Sequence, residues 1–369
     1  MTRILVVGGY GVFGSRLAER LARESDLEVV VAGRREAKAR AAAAALAPTA
    51  TARVTAAAVD AGTIDAAALS RLAPVVVVNA AGPFQSQDYH LAEACIAARA
   101  HYVDLADARR FVTGITALDG AAKSAGVAVI SGASSVPGLS SAVIRDLAAS
   151  FARIRAIDIA ISPGNSFDPG VATTASILSW VGRPFTARIG GATRTIHGWQ
   201  GLARRDFPGL GPRWLGYADV PDLDLLPERY PDAETVRFRA GVEVGAFHVG
   251  LYALSWLVRA GLVGDAAARL ARPLLAMKRR LSFLGSDRGG MLVVVEGTGR
   301  DGAMLKRQWH LVAGSGHGPY VPTLAAVILA KRLPRGSADL LGAMPCVDLL
   351  TPAEVAAEVA DLDIEMGVA

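Results

Sequence analysis

The chain has 369 residues, 52% of them hydrophobic and 20% charged, with a formal net charge of +5. That length exceeds one compact core of ordinary size, so two domains are expected, and the composition excludes collagen-like, repetitive and disordered classes. The basic residues, nearly all arginine, are spread along the chain without an aromatic-interleaved stripe, which argues against a nucleic-acid binder.

The first 140 residues alternate strand and helix. Ile4 to Val7 is an apolar run of the kind buried on both faces of a sheet. A helix is expected from Val12 to Arg23, then strands at 28–32, 53–58, 75–79, 102–105 and 127–131. Helical patterns at 36–46, 89–98 and 111–125 separate them, which means βαβ units and a parallel sheet with right-handed crossovers. After Pro137-Gly138 the beat changes, and longer strands are expected at 154–162, 187–197, 235–239, 291–297 and 304–312. Arg300-Asp301-Gly302 is a hairpin signal between the last two. Helices are expected near 246–259 and 265–283, then at 322–333 and 352–359. The fold class that follows is α/β: a Rossmann parallel-sheet domain with a second α+β domain of mixed or antiparallel sheet. The expected division is 1–139, completed by 319–369, as the dinucleotide-binding domain and 140–318 as the substrate and dimerisation domain.

Cys95 and Cys346 stand in unrelated surroundings without a CxxC, so neither a disulfide framework nor a zinc knuckle is expected. The N-terminus runs directly into a strand with no signal-peptide pattern, and the apolar stretch 249–258 falls short of the roughly 20 residues of a membrane span. A soluble, cytoplasmic protein without integral membrane association is expected.

The strongest chemical signal is Gly8-Gly9-Tyr10-Gly11-Val12-Phe13-Gly14, placed between the first strand and the first helix. Gly9, Gly11 and Gly14 satisfy GxGxxG, where glycine lets a pyrophosphate approach the backbone and the helix N-terminus supplies donors. The second strand ends at Gly33-Arg34-Arg35, 20 residues from Gly14 to Arg34, where an NAD enzyme carries an acid for the ribose hydroxyl. Two guanidinium groups there suit a 2′-phosphate, so NADP(H) is the expected cofactor. Asp60, after the third strand, is a candidate acceptor for the adenine amino group, and an ordinary loop or cap aspartate is an equal alternative. Ala80, Ala81, Gly82 and Pro83 follow the fourth strand and are small enough to admit a cofactor close to the backbone.

Absent motifs narrow the class. No tyrosine stands four residues before any of the five lysines, the six histidines form no HExxH or HxH, and GxSxG does not occur. Short-chain dehydrogenase, metal and α/β-hydrolase chemistries are therefore not expected. The basic segment Lys278-Arg279-Arg280 suits membrane phosphates, a solvated face or a partner subunit.

The GGYGVFG turn, VVVAGR, VVVNAAGPF, ACIAARAHYVDLAD, AGVAVISGASSVPGLSS and the late HLVAG and GAMPC segments together resemble the saccharopine dehydrogenase-like family of NADP-binding oxidoreductases. The resemblance implies a bilobal fold with a C-terminal return to the Rossmann domain, and NADP(H)-linked hydride transfer to or from an imine or secondary amine made from an amino acid. True saccharopine reductases carry a tyrosine where Phe84 stands and an aspartate where Val136 stands. Relatives acting as trans-acting enoyl reductases keep an acyl thioester open as the alternative substrate, and a non-catalytic NADP(H)-binding regulator is an alternative of another class. Asp104, at the end of the fifth strand, is the first candidate for proton handling, with Tyr102 beside it and His197 in the second domain. A homodimer acting on a small-molecule substrate is expected.

Overall fold

The computed structural model describes residues 1–264, 270–336 and 338–368. The chain forms two compact units, Met1–Leu139 with Pro319–Leu350, and Ser140–Gly318 with Thr351–Ala369.

In the first unit, strands β1 (Thr2–Val7), β2 (Leu27–Gly33), β3 (Arg53–Ala58), β4 (Val76–Asn79), β5 (His101–Asp104) and β6 (Ala128–Ser131) join the late strand Gly342–Pro345. All pair in parallel in the order β3-β2-β1-β4-β5-β6 followed by Gly342–Pro345. The order reverses between β1 and β4, the switch point at which ligands sit in doubly wound sheets. Val76, Val77 and Val78 are wholly buried, as strands covered by helices on both faces require. The expected single helix over 111–125 is instead two helices, Arg109–Gly114 and Asp119–Ala125, joined by a tight turn at Ile115–Leu118. Gly114 ends the first of them, beneath the Tyr89 hydroxyl. The helix Leu324–Arg332 buries seven consecutive residues, Leu324 to Ala330, in this unit. Tyr320 donates to Glu19 at 2.7 Å and Lys331 pairs with Glu24 at 2.8 Å, tying the late segment to the first helix and its following loop.

The second unit holds a mixed seven-stranded sheet and a separate two-stranded one. Its strands are β7 (Phe151–Ser162), β8 (Pro184–Ile189), β9 (Ala192–His197), β10 (Ala203–Phe207), β11 (Gly211–Tyr217), β12 (Thr235–Gly241), β13 (Gly289–Gly299), β14 (Met304–Ala313) and Ile364–Val368. The order is β10-β11-β12-β7-β13-β14 and then Ile364–Val368, with only the β12–β7 pair parallel. The strand expected at 187–197 is a hairpin, β8 and β9, because Gly190 and Gly191 both adopt positive φ (63° and 78°) and reverse the chain. Residues 351–369, expected with the Rossmann unit, group with the second, because Ile364–Val368 pairs antiparallel with Trp309–Ala313. The expected helix at 265–283 appears as Ala271–Arg280, and its first five positions lie outside the described residues. No helix among the described residues is long and apolar enough to cross a membrane.

Candidate cofactor site

The glycine turn separates two duties. Gly8 takes φ 80°, and a Cβ there would meet the Ala80 carbonyl carbon at 2.8 Å, so this glycine brings β1 against the end of β4. A Cβ on Gly14 would overlap the Gly8 carbonyl oxygen, so Gly14 seats the first helix on the turn. A Cβ on Gly9 would lie 2.8 Å from the Val6 carbonyl oxygen. Gly11 differs: its nearest neighbour would be the Gly8 carbonyl oxygen at 3.1 Å, and the residue is exposed. It is the N-cap of the helix Val12–Leu21, and no side chain caps that end. A helix start opened by glycine and left without a capping side chain suits a pyrophosphate.

Tyr10 lies under the charged arm of the site. Its ring packs on Gly33, where a Cβ would come within 2.6 Å, and its hydroxyl accepts from the Arg35 amide at 3.1 Å. Arg34 and Arg35 are exposed, and their guanidinium groups make no side-chain hydrogen bond or ion pair with any described residue. Asp60 accepts from the Gly62 amide at 3.1 Å and so shapes its own loop. It also borders a hollow of about 350 Å³ between β3 and the helix Ala66–Leu72.

The loop after β4 is clamped from two sides. Asn79 Oδ1 accepts from the Ala81 amide at 3.0 Å, and Gln87 Nε2 donates to the carbonyls of Ala81 (2.5 Å) and Pro83 (3.1 Å). Gln87 escaped the sequence reading, since a glutamine in a polar loop carries no distinguishing pattern. Phe84 is buried against Phe111, with ring centroids 5.4 Å apart, and Val136 is buried as well. Tyr89 packs on the other side of Phe111 and donates its hydroxyl to the Phe111 carbonyl at 2.8 Å.

Asp104 and Tyr102 lie in β5, where the sequence puts them, with side chains enclosed in the interior. Asp104 has no exposed surface, and one carboxylate oxygen accepts from Ser131 Oγ (3.0 Å) and the amides of Gly132 (2.8 Å) and Ala106 (2.9 Å). The other carboxylate oxygen is buried without a partner. Burial pushes its pKa up to about 6 against the opposing pull of those donors. Tyr102, also buried, accepts from Asn79 Nδ2 at 3.2 Å, and burial together with the Asp104 charge holds its phenol well above the usual range. The Asn79–Tyr102 and Ser131–Asp104 bonds thus tie the carboxyl end of β5 to those of β4 and β6. His197 belongs to the second unit, half-buried at the end of β9, where burial and the nearby Arg259 charge lower its pKa. The described residues hold no group of three or more His, Cys, Asp or Glu placed for a metal ion.

Residues 4–130 match the model of the saccharopine dehydrogenase NADP binding domain. That segment of the chain is similar to this NADP-binding domain. Over its full length the chain is similar to apo histidine-tagged saccharopine dehydrogenase (L-Glu forming) from Saccharomyces cerevisiae, with 13% identity, complete coverage of both chains and a TM-score of 0.70. That likeness is one of fold. A short-chain dehydrogenase from Sphingobium yanoikuyae in complex with NADPH overlaps 28% of this chain and 53% of its own, at 21% identity and TM-score 0.23. No curated protein sequence matches.

Proposed function

We propose that this protein is an NADP(H)-dependent oxidoreductase that reduces an imine, or oxidises a secondary amine, of an amino-acid-derived substrate. The observation that carries the reading is the pairing of an open glycine at an uncapped helix start with two unpartnered arginines at the end of β2. Gly11 and the helix start would hold the pyrophosphate, and Arg34 with Arg35 the 2′-phosphate, a charge-assisted pairing that a ribose hydroxyl cannot match. Ala80 to Pro83, fixed by Asn79 and Gln87, would present a backbone surface to the nicotinamide half. The bound cofactor supplies the hydride; the protein orients the acceptor and manages protons.

In this reading Asp104 and Tyr102 are positioning residues, because neither reaches solvent, while His197 and Asp107, which follows β5 and accepts from Gln85 Nε2 at 3.3 Å, are the titratable candidates for proton handling. A second substrate class, an enoyl thioester, is favoured by the buried apolar side chains of Phe84 and Val136. Two measurements test the proposal. NADPH should bind more tightly than NADH, and Arg34→Ala should erase roughly 10- to 100-fold of that advantage, the worth of one charged hydrogen bond. NADPH oxidation should then appear with aldehyde–amino acid mixtures. Equal affinity for the two cofactors refutes the cofactor assignment, and turnover confined to enoyl thioesters refutes the imine. Cofactor binding without turnover on either would leave the regulator.

A further inference from the structure

The second unit has a surface whose pattern is inverted. In the helix Gly245–Arg259 the solvent-facing positions are Ala246, Val249, Gly250, Ala253, Trp256 and Leu257 before the first charge at Arg259. These recur at helical spacing on one face, which an ordinary surface helix fills with polar residues. The opposite face is already used: Leu251 and Leu254 pack with Leu178, Trp199, Ala271 and Leu274 into one apolar cluster. Trp256 (46%) and Leu257 (44%) are therefore exposed while the core is satisfied without them. The same holds for Met277 on the helix Ala271–Arg280, and for Phe283 (75%) and Leu284 (51%) just after it.

The charge of this segment is as one-sided as its hydrophobicity. Residues 245–285 carry six basic side chains, Arg259, Arg269, Arg272, Lys278, Arg279 and Arg280, against the single acid Asp265. The difference of +5 equals the formal charge of the whole chain. Some of these cations are engaged: Lys278 donates to the Asn165 carbonyl at 2.7 Å, Arg279 pairs with Asp168 at 2.8 Å, and Arg259 donates to Gln200 at 2.8 Å. Arg272 and Arg280 are exposed and have no side-chain partner among the described residues.

We propose that this face docks on an anionic phospholipid surface. Exposed tryptophan, phenylalanine and leucine beside unpaired arginines match an interfacial helix layer, with apolar side chains entering the acyl boundary and guanidinium groups reaching headgroup phosphates. No helix among the described residues is long and apolar enough to span a bilayer, and the contact proposed is peripheral. A second copy of the chain is the weaker occupant, because an isologous interface through this patch would set the same positive field against itself.

The test uses the full-length protein and vesicles of phosphatidylglycerol with phosphatidylcholine, or phosphatidylcholine alone, at low and high salt. Co-sedimentation with the anionic vesicles, weakened by salt, is expected. The exposed pair Trp256→Ser/Phe283→Ser should weaken binding by at least about tenfold with an unchanged melting curve. Arg272→Gln and Arg280→Gln should each cost about fivefold, the effect of one basic residue near an anionic leaflet. Failure to sediment with anionic vesicles overturns the proposal. So does binding that ignores the Trp256/Phe283 pair, or a solution dimer that this pair dissociates.

Discussion

Asp104 offers a sharp test, because its interior placement makes two substitutions at one position diverge. In Asp104→Asn the amide oxygen can still accept from Ser131, Gly132 and Ala106, while the charge disappears from a site without solvent. The folded carboxyl has its pKa raised from 3.8 to about 6. The sign follows directly: the folded state holds this proton more tightly than the unfolded chain. The contribution of Asp104 to stability is therefore fully present below pH 4 and is lost as pH rises through 6. Two pKa units correspond to about 3 kcal/mol, the upper bound of what Asp104→Asn can recover at pH 8. A gain of that size would raise Tm by about 6–12 °C, at 2–4 °C per kcal/mol for a unit of this size. Asp104→Ala should do the opposite, since three buried donors would lose their acceptor at about 1–3 kcal/mol each. Thermal denaturation of both variants between pH 4 and pH 8 reads out the divergence. An Asp104→Asn protein that is less stable than wild type at pH 8 refutes this reasoning. So does one that keeps the wild-type pH profile and loses only turnover, which would return Asp104 to proton transfer.

Other outcomes follow from the same geometry. Gly11→Ala should leave Tm within a few degrees of wild type and lose NADPH binding by fluorescence titration. Gly14→Ala should instead cost about 1–3 kcal/mol through its collision with the Gly8 carbonyl. Asp222, buried and accepting from Ser140 at 2.5 Å, has its pKa pushed up to about 7, so it adds a second loss of stability as pH rises towards 7. Asp222→Asn should flatten that part of a urea-denaturation profile. Ending the chain at Leu350 removes the strand paired with Trp309–Ala313 and should lower the stability of the second unit in chymotrypsin digestion, with NADPH affinity nearly unchanged.

What could be read from sequence was what local chemistry determines. The glycine turn, the arginine pair and the strand–helix alternation over the first 140 residues each follow from neighbouring residues. What sequence did not show concerns partners far apart in the chain. Asp104 stands where strand ends meet ligand crevices, yet Ser131 and Gly132, which close over it, come 27 and 28 residues later. The tail helix Pro352–Glu358 was legible in the sequence, and the structure adds the capping box of Thr351 and Glu354 that starts it. Its membership in the second unit depends on a strand pairing that spans some fifty residues and leaves no local mark. The β8–β9 reversal was legible in principle. Gly190-Gly191 is a hairpin signal that the β-rich flanks obscured.

Under the proposed function, the interior placement of Asp104 and Tyr102 also bears on which bond would be reduced. A protonated imine that accepts a hydride becomes a neutral amine, and the balance closes without a proton from the protein. An enoyl thioester needs, besides the hydride, a proton at its α-carbon, and so requires a donor within reach. In the first unit, Tyr102 is buried with a raised pKa, and the Asp104 carboxylate is enclosed by its donors. With those two groups enclosed, the proposed function favours a substrate that brings its own proton. The rate should then follow the protonation of the substrate amine more than that of any Rossmann-domain side chain. Comparing pH–rate profiles for two amines of different basicity distinguishes the cases: a profile that shifts with the amine supports the imine, and a fixed profile assigns the titration to the protein.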